Sequence, residues 1–453
     1  MKHYNMIIIG GATTGSYLAR KIAEKGHSVL VIDQKPYDDI GNKYDIFHIA
    51  KADFERFLLP YPEKGNDLAF EFTGGEQYSA FGHYPKANSD TIIGMHMSAY
   101  TKRMNNWAKD AGADFLYETT FDDFLFESGK ISGIKCKHKD GTGKFSSDIL
   151  VDCSGIPSVA RCKLPDTYGI ENFKIGPKDM FYVTLRYVRY LNEVDYLTKS
   201  RGWPFYKTWE APQADPHGAI LGVGASISFE TGEKVFAEFE KNIELPEYEL
   251  THVEKGNTPY RRPPYSFVSD GFLVTGDSAC LTKPHAGEGV TSSMVHMDIA
   301  IEVIDNLLKN KKPLSKENLW IINKRYYNGQ GKNYASILAT LVNAVSTSQK
   351  ENEFFFKKDV IFSKKSFEAM AKGETISFSF KELIHIAFVL LGGIISGQVR
   401  IKTIRALLKG LKISGMIENH YANYPEKITD YETWVQTADM LWQKCGSMAD
   451  NIN

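Results

Sequence analysis

One stretch near the start limits what the chain can fold into more than any other: Tyr4 to Asp33, "YNMIIIGGATTGSYLARKIAEKGHSVLVID". Residues 4–10 are a short apolar run that reads as a fully buried strand. Residues 14–25 have helical spacing, with Tyr17, Leu18, Ile22 and Ala23 on one face, and "HSVLVID" reads as a second buried strand. Strand, helix and strand over about thirty residues make a β-α-β unit. Its turn almost spells G-x-G-x-x-G, with Gly10 and Gly15 in the first and third positions and Ala12 in the second. In such a turn the first glycine allows the tight bend, the second lets backbone approach a pyrophosphate, and the third lets helix and strand pack closely. The helix start then turns free N–H groups and a positive dipole end toward phosphate. Asp33, eighteen residues past Gly15, stands where a carboxylate meets ribose hydroxyls. A methyl group at Ala12 is harmless if φ is negative and costs about 1 kcal/mol if φ is positive. Thr13 and Thr14 either offer hydroxyls to phosphate or cap the helix.

The rest of the chain supplies the surroundings for this unit. With 453 residues there is room for two or three domains, and 43% apolar residues point to a globular fold rather than disorder. "SAYTKRMNNWAKDAG" (98–112) reads as a helix stopping at Gly112, followed by a β-meander that ends in "DILVD". Residues 165–260 are rich in aromatics and short alternating runs, as in a separate antiparallel sheet. "GFLVTGD" (271–277) reads as a buried strand returning to the first domain, with a helix at 288–309. The expected organisation is a nucleotide-binding domain from 1–50, 95–160 and 260–310, interleaved with a β-sheet domain from 51–94 and 161–259. A helical region, 311–453, follows.

Net charge is −1, which gives no general attraction to nucleic acid. The five cysteines, Cys136, Cys153, Cys162, Cys280 and Cys445, form no C-x-x-C and no zinc spacing. They suit a reduced, cytoplasmic protein, and "MIIIGG" is too short for a signal sequence. The longest apolar stretch, Leu383 to Gly397, is shorter than the ~20 residues of a membrane span. It reads first as a buried helix, and second as a helix lining a lipid tunnel or touching a membrane surface.

Three further motifs carry chemistry. "GFLVTGDSACLTKPHAGEGV" ends a strand in Gly276-Asp277 and leads through Pro284, Gly287 and Gly289 into a helix at Val290. "DILVDCSGIPSVAR" ends a strand in Asp152, Cys153, Ser154 and Gly155. Arg103 lies on the 98–112 helix, and a guanidinium fork suits phosphate. With the opening unit, these motifs resemble the FAD domain of flavoproteins of the glutathione-reductase or hydroxybenzoate-hydroxylase type. That resemblance implies an α/β FAD-binding Rossmann domain interleaved with an antiparallel substrate sheet, plus the C-terminal helices. It implies cofactor contacts at Gly10, Gly11, Ala12, Thr14, Gly15, Asp33, Gln34, Lys35, Arg103, Ser154, Gly155, Gly276, Asp277, Pro284, Gly287, Gly289 and Val290.

Longer stretches narrow the resemblance. "IDQKPYDDIGNKYD", "LLPYPEKG", "YKTWEAPQADPHGAILGVG", "PYRRPPY" and "ENHYANYPEKITDYETW" are similar to segments of the geranylgeranyl reductase family, especially the archaeal digeranylgeranylglycerophospholipid reductases. The family's Lys-Pro-Cys-Gly-Asp is here Lys43-Tyr44-Asp45-Ile46-Phe47, which puts Asp45 in the cysteine slot. Its Phe-Pro-Lys is Ala211-Pro212-Gln213.

The resemblance implies hydride transfer from reduced flavin to isoprenoid double bonds of lipids. It also implies substrate contacts at Tyr206, Trp209 and Pro212, within an aromatic wall that includes Phe181, Tyr182, Trp203 and Phe205. Asp45, if desolvated, is a candidate proton donor, and His285 in the flavin loop is another. Glu288 suits the start of the following helix. The electron donor is open between NAD(P)H and ferredoxin, since no second nucleotide fingerprint is present. The implied setting is cytoplasmic, with contact at the inner membrane face as an option. Two other readings stay open: a flavin monooxygenase on the same fold, and a redox relay to a quinone or protein partner.

Overall fold

Lys2–Ile9 is the pivot of the first sheet. It pairs in parallel with Val29–Ile32 on one side, from Met6 opposite Val29 to Ile9 opposite Ile32, and with Gly141–Asp152 on the other. Its last four residues are buried, as expected for a strand covered on both faces. The computed structural model of the chain describes residues 1–41, 45–194, 198–203, 206–213, 215–344 and 347–446. Across the first sheet the strand order is Val268–Ser269, Phe272–Val274, Gly141–Asp152, Lys2–Ile9, Val29–Ile32, Asp114–Leu116. The hairpin Thr120–Glu127 and Lys130–His138 extends it from Gly141–Asp152. The helices Thr13–Ala23, Met97–Asp110 and Val290–Lys309 pack beside one another, and the first links the other two. Gly112, two residues past the second helix, has φ +102, in keeping with its reading as a stop.

The second sheet has eight strands, in the order Tyr248–Pro259, Met180–Tyr190, Gly218–Ser226, Tyr206–Pro212, Thr198–Trp203, Leu68–Ser79, Lys86–His96, Ile46–Ala50. The chain crosses into it earlier than the residue-50 boundary suggests, because Ile46–Ala50 pairs antiparallel with Lys86–His96. Every residue of Gly218–Ser226 is buried. One face of that strand, with Ala219, Leu221 and Val223, meets Val235, Phe236 and Phe239 of the helix Phe229–Asn242. Ser228 caps this helix by accepting from Thr231 N. The opposite face carries Ile220 toward the interior of the molecule.

The C-terminal helices close over the first domain through a cluster of aromatic rings. "PYRRPPY" and the segment at 418–434 lie far apart in sequence and meet here. Tyr265 donates to Asp439 at 2.7 Å and stands edge-on to Trp434, while Tyr424 donates to the Tyr265 carbonyl. Arg262 grips Glu171 through both terminal nitrogens and lies over the Tyr265 ring. Burial raises the Glu171 pKa, and the Arg262 bonds and charge more than offset it, so this carboxyl ends below the ordinary range.

The apolar stretch at 383–397 departs from its first reading. It forms most of the helix Phe380–Ile395, and only Gly393 of that helix is fully buried. Phe380, Phe388 and Ile395 are 76%, 71% and 79% exposed. Apolar composition alone does not separate a helix inside a core from one on a surface, and a fifteen-residue run is consistent with either. Among the described residues, no helix is long and apolar enough to cross a membrane.

Candidate cofactor and substrate cavity

The nucleotide turn is built by close backbone approaches. Gly10 has φ +106, and a Cβ there would fall 2.4 Å from the Cys153 carbonyl oxygen. A Cβ on Gly15 would fall 1.9 Å from the Gly10 carbonyl oxygen. Ala12 has φ −73, an ordinary conformation for an L-residue, so its methyl carries no backbone strain. No side chain caps the helix Thr13–Ala23, which leaves its first N–H groups free for a ligand; Thr13 and Thr14 both line the adjoining cavity. Asp33 also stands on that cavity, with its carboxylate accepting from Gly11 N at 2.7 Å and Lys35 N at 2.8 Å.

A second knot holds the neighbouring turn. Asp152, fully buried, accepts from Ser154 N and Oγ, Ala160 N, Arg161 N and Ser278 Oγ. One carboxylate thereby orders the Cys153–Arg161 turn and ties it to the loop after Phe272–Val274. Arg161, likewise buried, donates to the Ser278 and Glu171 carbonyls. Asn105 does comparable work on the other side, donating to the Gly11 carbonyl and Ser16 Oγ, both at 2.7 Å.

These turns border one cavity of about 790 Å3 that runs from the first sheet to the second. Gly10, Ala12, Asp33, Gln34, Lys35, Ser154, Gly155 and Asp277 line its polar end. Gly287, Gly289 and Val290 bring the start of the helix Val290–Lys309 to the wall. Phe47, Phe70, Phe72, Phe181, Leu185, Trp209 and Ile220 line its apolar end. Three of these rings lie over glycines on adjacent strands. A Cβ on Gly222 would fall 1.9 Å from the Trp209 ring; Gly224 stands in the same relation to Phe181, and Gly94 to Phe70. The missing side chains let the rings lie flat on the sheet.

No family model matches the chain. It is 24% identical over 447 residues to the digeranylgeranylglycerophospholipid reductase of Sulfolobus acidocaldarius, covering 96% of each chain. It is 23% identical over 343 residues to the Methanothrix thermoacetophila protein of the same name, covering 73% of this chain and 85% of that one. It is a distant relative of these reductases. Among solved structures, a geranylgeranyl bacteriochlorophyll reductase-like protein of Thermoplasma acidophilum superposes with a TM-score of 0.65 at 16% identity, over 88% of this chain and all of that one. A flavin-dependent brominase gives 0.60 at 15% identity, over 88% of this chain and all of its own. The fold is the one these two structures share.

Against this geometry the expected site residues divide. Gly11 and Gly15 sit in the turn, and Gly276 adjoins Asp277, all behind the lining atoms. Arg103 does not reach this cavity. Asp67, fully buried, and Glu63 hold its guanidinium, and it faces a separate, more open cavity. Asn105, two residues further along the same helix, meets the fingerprint turn instead. Asp45 is also displaced. It is exposed on that outer cavity, 3.1 Å from His96 Nδ1, with its backbone N–H on Glu254. The burial on which its candidacy as a proton donor rested is therefore absent.

Pro284 and His285 stand behind the wall formed by Ala286 to Val290. Burial, then the charges of Lys283 and Lys207, push the His285 pKa down to about 3, so its ring is neutral at physiological pH. Glu288 accepts from Thr291 N and Oγ1, as a helix-start carboxylate should, and also lines the cavity. Trp209 is on the cavity, but Pro212, buried at its strand end, is not. Tyr182 points away, against Phe229. Lys43, Tyr44 and Phe205 lie outside the described residues, as do the side chains of Trp203 and Tyr206.

Two polar groups in the apolar half escaped the sequence reading: His48 and Lys207. Burial lowers the His48 pKa, the Lys207 charge lowers it further, and Glu288 raises it. Burial, then Lys283, pushes Lys207 down to about 8. His48 is the one polar residue of Ile46–Ala50, Lys207 shares its strand with Thr208 and Glu210, and no spacing rule marks either.

Proposed function

We propose that the chain is an FAD-dependent oxidoreductase that saturates isoprenoid C=C bonds in geranylgeranyl or polyprenyl lipids by hydride transfer. The observation that carries this reading is the single cavity with a dinucleotide turn at one end and a ring-lined apolar wall at the other. The relatives named as digeranylgeranylglycerophospholipid reductases support the substrate class.

The residues fit FAD. Gly10, Ala12 and Thr14 would hold the pyrophosphate, with Gly11 and Gly15 shaping the turn behind them and the uncapped start of Thr13–Ala23 supplying N–H donors. Asp33, Gln34 and Lys35 would hold the adenosine ribose, Ser154 and Gly155 the adenosine side, and Gly276 and Asp277 the ribityl chain. Gly287, Gly289 and Val290 would stand by the ring at the positive end of a twenty-residue helix. When bound, FAD supplies the hydride.

The protein's own residues do the rest. An isolated alkene has no carbonyl to polarise, so positioning and exclusion of water carry the catalysis. Phe70, Phe72, Phe181 and Trp209 provide a smooth apolar wall for a prenyl chain. The second carbon needs a proton, and Lys207 Nζ is the group suited to give it: it is protonated at pH 7, yet burial makes its proton easier to remove than that of an ordinary lysine.

The test uses purified protein, reduced by dithionite so that the natural donor, NAD(P)H or ferredoxin, does not enter. With a geranylgeranyl lipid, the product should gain two hydrogens per bond. A protein that takes up no FAD, or a product that gains oxygen, overturns the reading; the second outcome makes it a monooxygenase.

A further inference from the structure

The helix Phe380–Ile395 has apolar residues on two faces. Ile386, Val389 and Leu390 pack inward with Phe354, Ile361, Phe362 and Val399. Phe380, Leu383, Ile384, Phe388, Leu391 and Ile395 face outward and are exposed. Their spacing of three to four residues keeps them on one stripe, about 22 Å long at 1.5 Å per residue. A contiguous exposed stripe of this size marks an interaction surface.

The helix Ile401–Ala422 follows directly and extends the same character. Ile401, Leu408 and Leu411 are exposed on it, interleaved with Lys402, Arg405, Lys409 and Lys412. Residues 380–417 contain six Lys or Arg and a single acid, Glu382, in a chain whose net charge is −1. Glu382 is paired with Lys365 at 2.8 Å, and Arg400 with Glu351 at 2.6 Å. Lys402, Arg405, Lys409 and Lys412 make no ion pair among the described residues. Apolar residues beside uncompensated cations suit a surface that is oily inside and negative outside.

We propose that this pair of consecutive helices docks the protein on the face of an anionic lipid bilayer, with the apolar stripe in the acyl boundary and the cations among the headgroups. The helix pair is joined to two strands that line the cavity. Its support helix, Gln349–Lys357, accepts the backbone N–H of Ala80 at Asn352 and of Phe81 at Glu353, and Lys86 pairs with Asp359. These contacts seize the turn between Leu68–Ser79 and Lys86–His96, and Gly74 to Gln77 and Asn88 on those strands line the cavity. Docking is thereby coupled to the strands that line the cavity. The surface stands independently of the reaction assigned above.

Co-sedimentation tests it, using phosphatidylcholine vesicles with and without phosphatidylglycerol. The wild-type protein should pellet with the anionic vesicles and be released by high salt. A Phe388→Asp, Leu391→Asp variant and a Lys409→Glu, Lys412→Glu variant should each bind at least about tenfold more weakly. FAD content and reaction with detergent-dispersed lipid serve as controls, and both should be unchanged; loss of reaction with vesicle binding intact would count against the enzyme reading alone. The proposal is overturned if the wild type stays in the supernatant, if either variant binds as tightly, or if the stripe is covered by a second copy in ultracentrifugation.

Discussion

Lys207 Nζ donates to the Ala286 carbonyl across 2.9 Å, joining the strand Tyr206–Pro212 of the second sheet to the loop that opens the helix Val290–Lys309. The bond fixes an ammonium on the wall shared by both halves of the cavity. Below pH 8 that group carries the proton to be delivered, and above it the proton is lost. The rate of double-bond reduction should therefore fall as pH rises through about 8. Lys207→Met should lower kcat by about a hundredfold or more and remove that limb, with FAD content unchanged. An unaltered pH profile would exclude Lys207 as the donor.

Ala12 and Gly10 should respond in opposite ways. Ala12 has a negative φ, so Ala12→Gly should leave FAD affinity within about threefold. Gly10→Ala meets the Cys153 carbonyl and a positive φ together, and should abolish FAD retention. Fluorescence titration with FAD separates the two.

The ring wall has a sharper dependence on one atom. Gly222→Ala puts a methyl group where the Trp209 indole lies, so the ring must lift into the cavity. The expected result is a raised KM and a shift toward shorter prenyl chains, with little change in FAD binding. An unchanged chain-length profile would mean that Trp209 does not meet the substrate.

Glu351 holds the start of the helix Ile401–Ala422 through Arg400. Burial pushes its pKa up, but the hydrogen bonds from Arg400 and its neighbours dominate and bring it down to about 2. Its contribution is fully present above the unfolded value of 4.5 and is lost as pH falls from there through about 2. Amide-exchange protection in Phe380–Ala422 should decline across that window. Glu351→Gln should weaken protection at neutral pH and remove the acid dependence.

What the sequence conveys here depends on how local the determinants are. The β-α-β unit, Asp33 and the Gly276-Asp277 strand end are set by short-range spacing, and the fold follows from their order. Arg103 misleads because its partner, Asp67, comes from a loop 36 residues away, and nothing local reveals that pairing. Asp45 misleads because a family slot fixes alignment but not burial. Lys207 and His48 owe their character to the packing of distant strands. The exposed stripe at 380–395 is composed like a core helix, and only its tertiary neighbours show which face remains bare.

The pairing of Ile9 with Asp152 joins residues 143 positions apart. At 5–20 residues per second on the ribosome, the first strand waits about 7 to 29 s for that neighbour. During this interval "MIIIG" is an apolar strand whose edge on the Asp152 side has no native partner. Productive synthesis thus depends on how this segment is shielded as it leaves the exit tunnel, and slower translation of residues 10–150 would lengthen its exposure.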